Sequence, residues 1–138
     1  MSETVRDLLD VYAFWDDMAR AKRKQIQSQR DRKTSIKIID SETHGGAPET
    51  MADYMVKLEE LGMDLEEIRE ERFRAYSAIM RLAFQLKSMK QFDIIYRRYI
   101  HRDTWRKICK DLNLKKRTVM DLHDRAMLAL ERIQEGRS

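Results

Sequence analysis

The stretch Asp103–Ile133, DTWRKICKDLNLKKRTVMDLHDRAMLALERI, constrains the fold of this chain more than any other. Trp105, Ile108, Cys109 and Leu112 stand at offsets of 3, 4 and 7, which puts them on one face of a helix. Asp103 or Thr104 can cap that helix, since either side-chain oxygen can accept from the free N–H groups of its first turn. Asn113 follows at the exit, and Asn tolerates the left-handed conformation that ends helices. Leu114 is an apolar plug. A second helix then runs from about Lys115 to Gln134, with Val119, Leu122, Ala126, Ala129 and Ile133 spaced by 3 and 4 along one stripe. The pattern predicts a short helix, a tight turn and a longer helix.

The side chains opposite that stripe carry the chemistry. Lys116, Arg117, Met120, Asp121 and Asp124 point away from Val119, Leu122 and Ala126. The start of a helix presents free N–H groups and partial positive charge, which favour phosphate. Lys115, Lys116 and Arg117 strengthen that preference and are followed by Thr118. Arg117 can pair with the two acceptors of a guanine edge. Asp121 can accept from cytosine, or hold Arg117 at i,i+4 spacing. Met120 can meet a thymine methyl. Lys115 and Lys116 are expected on phosphates, and Arg117, Thr118 and Asp121 on base edges. This is the pattern of a DNA-binding helix-turn-helix.

Thr104-Trp105-x-x-Ile108-Cys109-x-x-Leu112-x-Leu114, followed by Val119, Leu122, Ala126-Met127 and Leu130, resembles the region 4 helix-turn-helix of sigma-70-type factors. With the preceding Tyr96-Arg97-Arg98-Tyr99-Ile100, and with Leu122-His123, the stretch from about Phe92 to Leu130 is similar to phage and prophage transcription regulators of the ArpU/RinA type. The resemblance implies a sequence-specific regulator, a phage-encoded activator of late genes, acting in the bacterial cytoplasm at the nucleoid, with host RNA polymerase as a further candidate partner. Two positions depart from the sigma pattern. Lys115 stands where a capping Ser or Thr is expected, and Arg106-Lys107 where a pair of acids is common. Both make the surface more basic, and Arg106 joins the expected DNA-binding set.

Charge follows the same division. Residues 89–138 hold 13 Lys and Arg against 7 Asp and Glu, a net of +6. Residues 49–88 carry a net of −3 and residues 1–48 a net of +1. The excess positive charge coincides with the helix-turn-helix, the footprint of a nucleic-acid-binding module. With 38% charged residues and a mean hydropathy of −0.71, one large core is not expected, whereas helical hairpins with long solvated faces are.

One Pro and four Gly leave few places to break a helix. Residues 4 to about 33 read as one helix with a coiled-coil-like seam of Val5, Leu8, Tyr12, Trp15 and Ala19. Its cation-rich stretch from Arg20 to Lys33 reads as a solvated face, with a second phosphate-contacting surface as the other reading. Residues 34–50 form a linker, in which Ile36-Lys37-Ile38-Ile39 is expected to be extended and Gly45-Gly46-Ala47-Pro48 to break the chain, with Pro48 opening the next helix. Glu49 to Ser88 reads as a second seamed helix through Leu58, Leu61, Leu65, Ile68, Ala75, Ile79, Leu82 and Leu86. Gly62 is a possible kink, and Asp64 with Glu67 a capping box for a restart. The acids of this helix are expected to lie against the cations of the first.

The expected architecture is therefore all-α. Residues 1–88 form an antiparallel, coiled-coil-like helical hairpin for oligomerisation or partner binding. Residues 89–138 form a sigma-region-4-like helix-turn-helix domain, in which Phe92, Ile95, Tyr96 and Tyr99 pack on Trp105, Ile108 and Leu122. A homodimer is expected, since two seams leave more apolar surface than one hairpin contact covers.

The single Cys109 sits on a core face and fits a reducing compartment. His44, His101 and His123 lack metal-ligand spacing, and no phosphate loop or nucleophile arrangement occurs. No enzyme, cofactor, metal, small-molecule substrate or membrane span is expected. Two other readings use the same features: a sigma-like module that acts on RNA polymerase without reading DNA, and a DNA-packaging protein of the small-terminase kind.

Overall fold

A computed structural model describes residues 3–39 and 51–136, with side chains over 3–32 and 52–136. The described residues are all-helical: α1 (Val5–Ile39), α2 (Met51–Ala83), α3 (Met89–Ile95) running on into a π-helical turn (Tyr96–Ile100), α4 (Trp105–Leu112) and α5 (Lys116–Gln134). Packing separates two units, Met1–Phe14 with Arg72–Ser138, and Trp15–Glu71.

In the first unit, α1 starts at a reciprocal cap. The Asp7 N–H donates to Thr4 Oγ1 and the Thr4 N–H to Asp7 Oδ2, each at 3.1 Å. The opening turns of α1 and the closing turns of α2 join the later helices in one core. It comprises Val5, Leu9 and Tyr12, then Ala75, Ile79 and Met80, then Ile95, Ile100, Ala126 and Leu130. Polar ties fix this arrangement. The Val5 N–H donates to Glu131 Oε1 (3.0 Å), Gln134 Nε2 to the Glu3 carbonyl (2.9 Å), and the Tyr12 hydroxyl to the Ile100 carbonyl (3.4 Å). A second, smaller core joins Ile94, Ile108 and Val119, flanked by Trp105, Cys109, Leu112, Leu114 and Leu122.

These two cores correct the expected packing of α3. Ile94 faces α4 and α5, whereas Phe92, Ile95, Tyr96 and Tyr99 pack with the core that includes α1 and α2. The helix is short enough to be buried on two sides at once, so adjacent residues serve different cores. Its last turn widens. The His101 N–H donates to the Tyr96 carbonyl (2.9 Å), five residues back, and the Asp103 N–H reaches the Arg97 carbonyl (2.8 Å) past a left-handed Arg102.

The second unit has a thinner core of Ala19, Leu65 and Ile68, covered by Trp15, Met18 and Ile26. Lys22 meets Asp64 at 3.5 Å. Several expectations change here. α1 stays helical through Ile39, so Ile36–Ile39 is not extended: β-branched residues lower helix propensity only slightly, and neither Gly nor Pro intervenes. α2 runs without a break past Gly62, and Asp64 and Glu67 restart nothing. A single Gly costs only about 1 kcal/mol in a helix. α2 also ends at Ala83 rather than Ser88, and Ser88 instead caps α3 by accepting from the Gln91 N–H (3.3 Å). The Gly45–Pro48 break lies outside the described residues.

Candidate nucleic-acid interface

The short helix α4 is capped by Thr104, whose Oγ1 accepts from the Lys107 N–H at 3.2 Å. Asp103, the other expected cap, is buried instead and bonds His101 Nδ1 at 2.7 Å. At the far end Asn113 adopts the left-handed conformation (φ 54°, ψ 47°). The Leu114 N–H reaches back to the Cys109 carbonyl (3.1 Å), and the Asn113 N–H to the Lys110 carbonyl (3.2 Å). This pair of bonds satisfies the orphan carbonyls of the last turn, and Leu114 and Cys109 both pack in the small core. The turn is thereby fixed both by its backbone and by apolar contact. It delivers the chain to Lys115, the N-cap of α5, which makes no side-chain capping bond.

α5 is held from behind by Val119, His123, Ala126 and Leu130, all buried. The expected stripe is thus rotated: Leu122, Ala129 and Ile133 are only half-buried, and His123 occupies a core position. The signal lay in the spacing, because Val119, His123, Ala126 and Leu130 step by 4, 3 and 4, with a polar residue in the second place. His123 Nε2 is 2.6 Å from the Tyr99 hydroxyl and Nδ1 is 3.1 Å from Asp124 Oδ1. If Nδ1–H donates to the carboxylate, Nε2 is left to accept from Tyr99. Trp105 meets the imidazole edge-on, with centroids 5.0 Å apart. His123 therefore links the π-helical turn, α4 and α5.

The expected DNA-contacting residues fall as follows. Lys115, Lys116, Arg117, Thr118, Asp121 and Asp124 are exposed on α5, and Arg106 is exposed on α4. Met120 is half-buried, so it is not the fully wet apolar side chain anticipated. Asp124 is engaged with His123. Among the described residues, no ion pair involves Arg117 or Asp121, so Asp121 does not hold Arg117. Lys115 and Lys116 likewise have no carboxylate within ion-pair distance among those residues.

Neighbouring cations behave differently. Lys107 bonds Asp111 at 3.0 Å and lies 4.0 Å from Asp103. The bond to Asp111 and the two nearby carboxylates hold the Lys107 ammonium above the usual lysine range, and the same bond holds Asp111 below the usual carboxylate range. Arg97 pairs with Asp93 (2.9 Å) and Asp111 (3.5 Å). Arg98 donates to the Asp103 carbonyl (3.1 Å) and lies over the Trp105 ring, 4.6 Å from its centroid. These cations serve the fold, and the sequence pattern did not separate them from those of α5.

Among the described residues, no group of three or more His, Cys, Asp and Glu could hold a metal ion, and no helix is long and apolar enough to cross a membrane. Comparison with protein-family models, with curated proteins and with solved structures found no match to this chain.

Proposed function

We propose that this protein is a sequence-specific transcription regulator that binds duplex DNA through a helix-turn-helix formed by α4 and α5, with α5 as the reading helix. The observation that carries this reading is the state of three cations. Lys115, Lys116 and Arg117 are exposed at the start of a helix without a side-chain cap, and no described carboxylate neutralises them. Free N–H groups and unpaired cations at one helix end favour an external polyanion, and duplex phosphates have the matching charge. The capped turn at Asn113 holds this end in a fixed direction, as groove recognition requires.

In this reading Lys115, Lys116 and Arg106 position the protein on phosphates, and Arg117, Thr118 and Asp121 face base edges. The α1–α2 half acts as a helical hairpin. The resemblance to ArpU/RinA-type regulators extends the proposal to activation of phage late genes in a bacterial host, with RNA polymerase as a further partner.

Titration of the purified chain against duplex DNA over a range of salt concentrations tests the reading. With about 4 to 6 phosphates neutralised, the slope of log affinity on log salt is expected near −4 to −5. A slope near zero would overturn it. Selection of bound fragments from a phage genome gives the site.

A further inference from the structure

The unit Trp15–Glu71 bears exposed side chains of opposite charge on its two helices. Residues 15–32 of α1 hold six Lys and Arg against three Asp and Glu, and residues 52–71 of α2 hold two against eight. The two helices meet in this unit, where Lys22 pairs with Asp64. Arg23, Lys24 and Arg30 on α1 are exposed, and so are Glu59, Glu67 and Glu70 on α2. Among the described residues none of these six has a hydrogen-bond or ion-pair partner.

The acidic face also carries large apolar side chains. Val56, Glu59, Met63, Glu67 and Glu70 step by 3, 4, 4 and 3, so they share one side of α2. Val56 is 52% exposed and Met63 63%. The buried positions of this segment, Tyr54, Leu65 and Ile68, lie on a different side. On α1, Arg23 and Arg30 are seven residues apart, about two turns along one side, and Lys24 widens this basic stripe on the adjoining side. An apolar stripe edged with acids seeks a partner with apolar stems and positive heads. The long side chains of Arg23, Lys24 and Arg30 offer both.

We infer that this unit is a self-association surface, and that its partner is a second copy of this chain, the basic stripe of α1 in one copy lying on the acidic, apolar stripe of α2 in the other. Each copy supplies one stripe of each sign, and the acidic stripe lies opposite the side of α2 that packs on α1, so the contact is head-to-tail. The inference does not depend on DNA binding by α5.

Charge-swapped variants of the full chain test it, read by sedimentation equilibrium with helicity checked by circular dichroism. The native chain is expected to form dimers and larger species at tens of micromolar protein in low salt, and to dissociate more readily as salt rises. The variant R23E/K24E/R30E places acid against acid at the contact. E59K/E67K/E70K places base against base. Each alone is expected to weaken dimerisation at least about 100-fold, because facing like charges cost several kcal/mol. Mixed one to one, they restore opposite charges wherever the two variants meet, and mixed assemblies are expected. A monomeric native chain would overturn the inference, as would dimers indifferent to either set of reversals or a mixture that stays monomeric. If R23E/K24E/R30E keeps the native mass but loses DNA affinity, the basic stripe is a nucleic-acid face and the inference fails.

Discussion

Lys107 on α4 lies 3.0 Å from Asp111 and 4.0 Å from Asp103, whereas Lys115, Lys116 and Arg117 at the start of α5 have no described carboxylate in reach. Both sets are exposed cations on short stretches of the same basic segment. In composition they are indistinguishable. For the lysines the difference comes from spacing: Lys107 has Asp103 and Asp111 four residues to either side, while no acid sits three or four residues from Lys115 or Lys116 within α5. Arg117 has Asp121 at i,i+4 and does not pair with it. Lys107 is neutralised within the chain, which leaves it little to offer an external phosphate. Net charge alone therefore overstates the surface available for binding, and pairing has to be subtracted first.

The largest effect on this contrast comes from removing the support that both sets share. Val119 is fully buried against Ile94 and Ile108. Val119→Asp puts an unpaired charge there and is expected to cost roughly 3 kcal/mol or more, unfolding the α4–α5 region. Urea denaturation followed by circular dichroism measures it, and a midpoint unchanged from the native chain would contradict the packing described.

Next in size is Arg117→Ala, expected to weaken binding to the cognate site by roughly 1 to 3 kcal/mol and to flatten discrimination at one base pair. Titration against single-base variants of the site decides the matter. An equal loss on every sequence makes Arg117 a phosphate contact. A smaller effect separates the two lysines directly. Lys115→Ala is expected to reduce the salt slope by about one unit on cognate and random DNA alike, and Lys107→Ala to leave the slope as it is. Equal changes in both variants would erase the distinction drawn here.

The smallest effect is in pH. Asp111 titrates below its ordinary value of 3.8, so its stabilising pairing is complete above that value and fades as pH falls through the lower folded value. Lys107 titrates above 10.5, so its contribution is complete below that value and fades as pH rises through the higher folded value. Replacing both residues should leave stability between about pH 5 and 9 with an unchanged pH slope, and should alter only the acid and alkaline limbs of the curve. Thermal melts across that range provide the check.

What could be read from residues alone was what is settled locally. Thr104, Asn113, Leu114 and the start of α5 are specified by neighbours a few positions away, and the structure places them as the pattern predicts. The burial of α3 on two sides was not legible. Its partner Tyr12 bonds Ile100 across 88 residues, and no local period reports such a contact. The π-helical turn has no compositional mark either, although it sets where Tyr99 and Ile100 point. Nor did His123 stand out, because a histidine reads as polar until its position between Val119 and Ala126 is set against its partners Tyr99 and Asp124. For the candidate interface, the exposed cations could be named, but which of them are already neutralised depends on side-chain geometry.

The bond from the Val5 N–H to Glu131 spans 126 positions. On the ribosome, the opening turns of α1 are made well before the turn of α5 that receives them. At about 5 to 20 residues per second, Val5, Leu9 and Tyr12 wait roughly 6 to 25 s before that turn exists. During synthesis this apolar segment stands without the core it later joins. The first unit can close only after translation has passed Glu131, whatever α3 to α5 form among themselves before then.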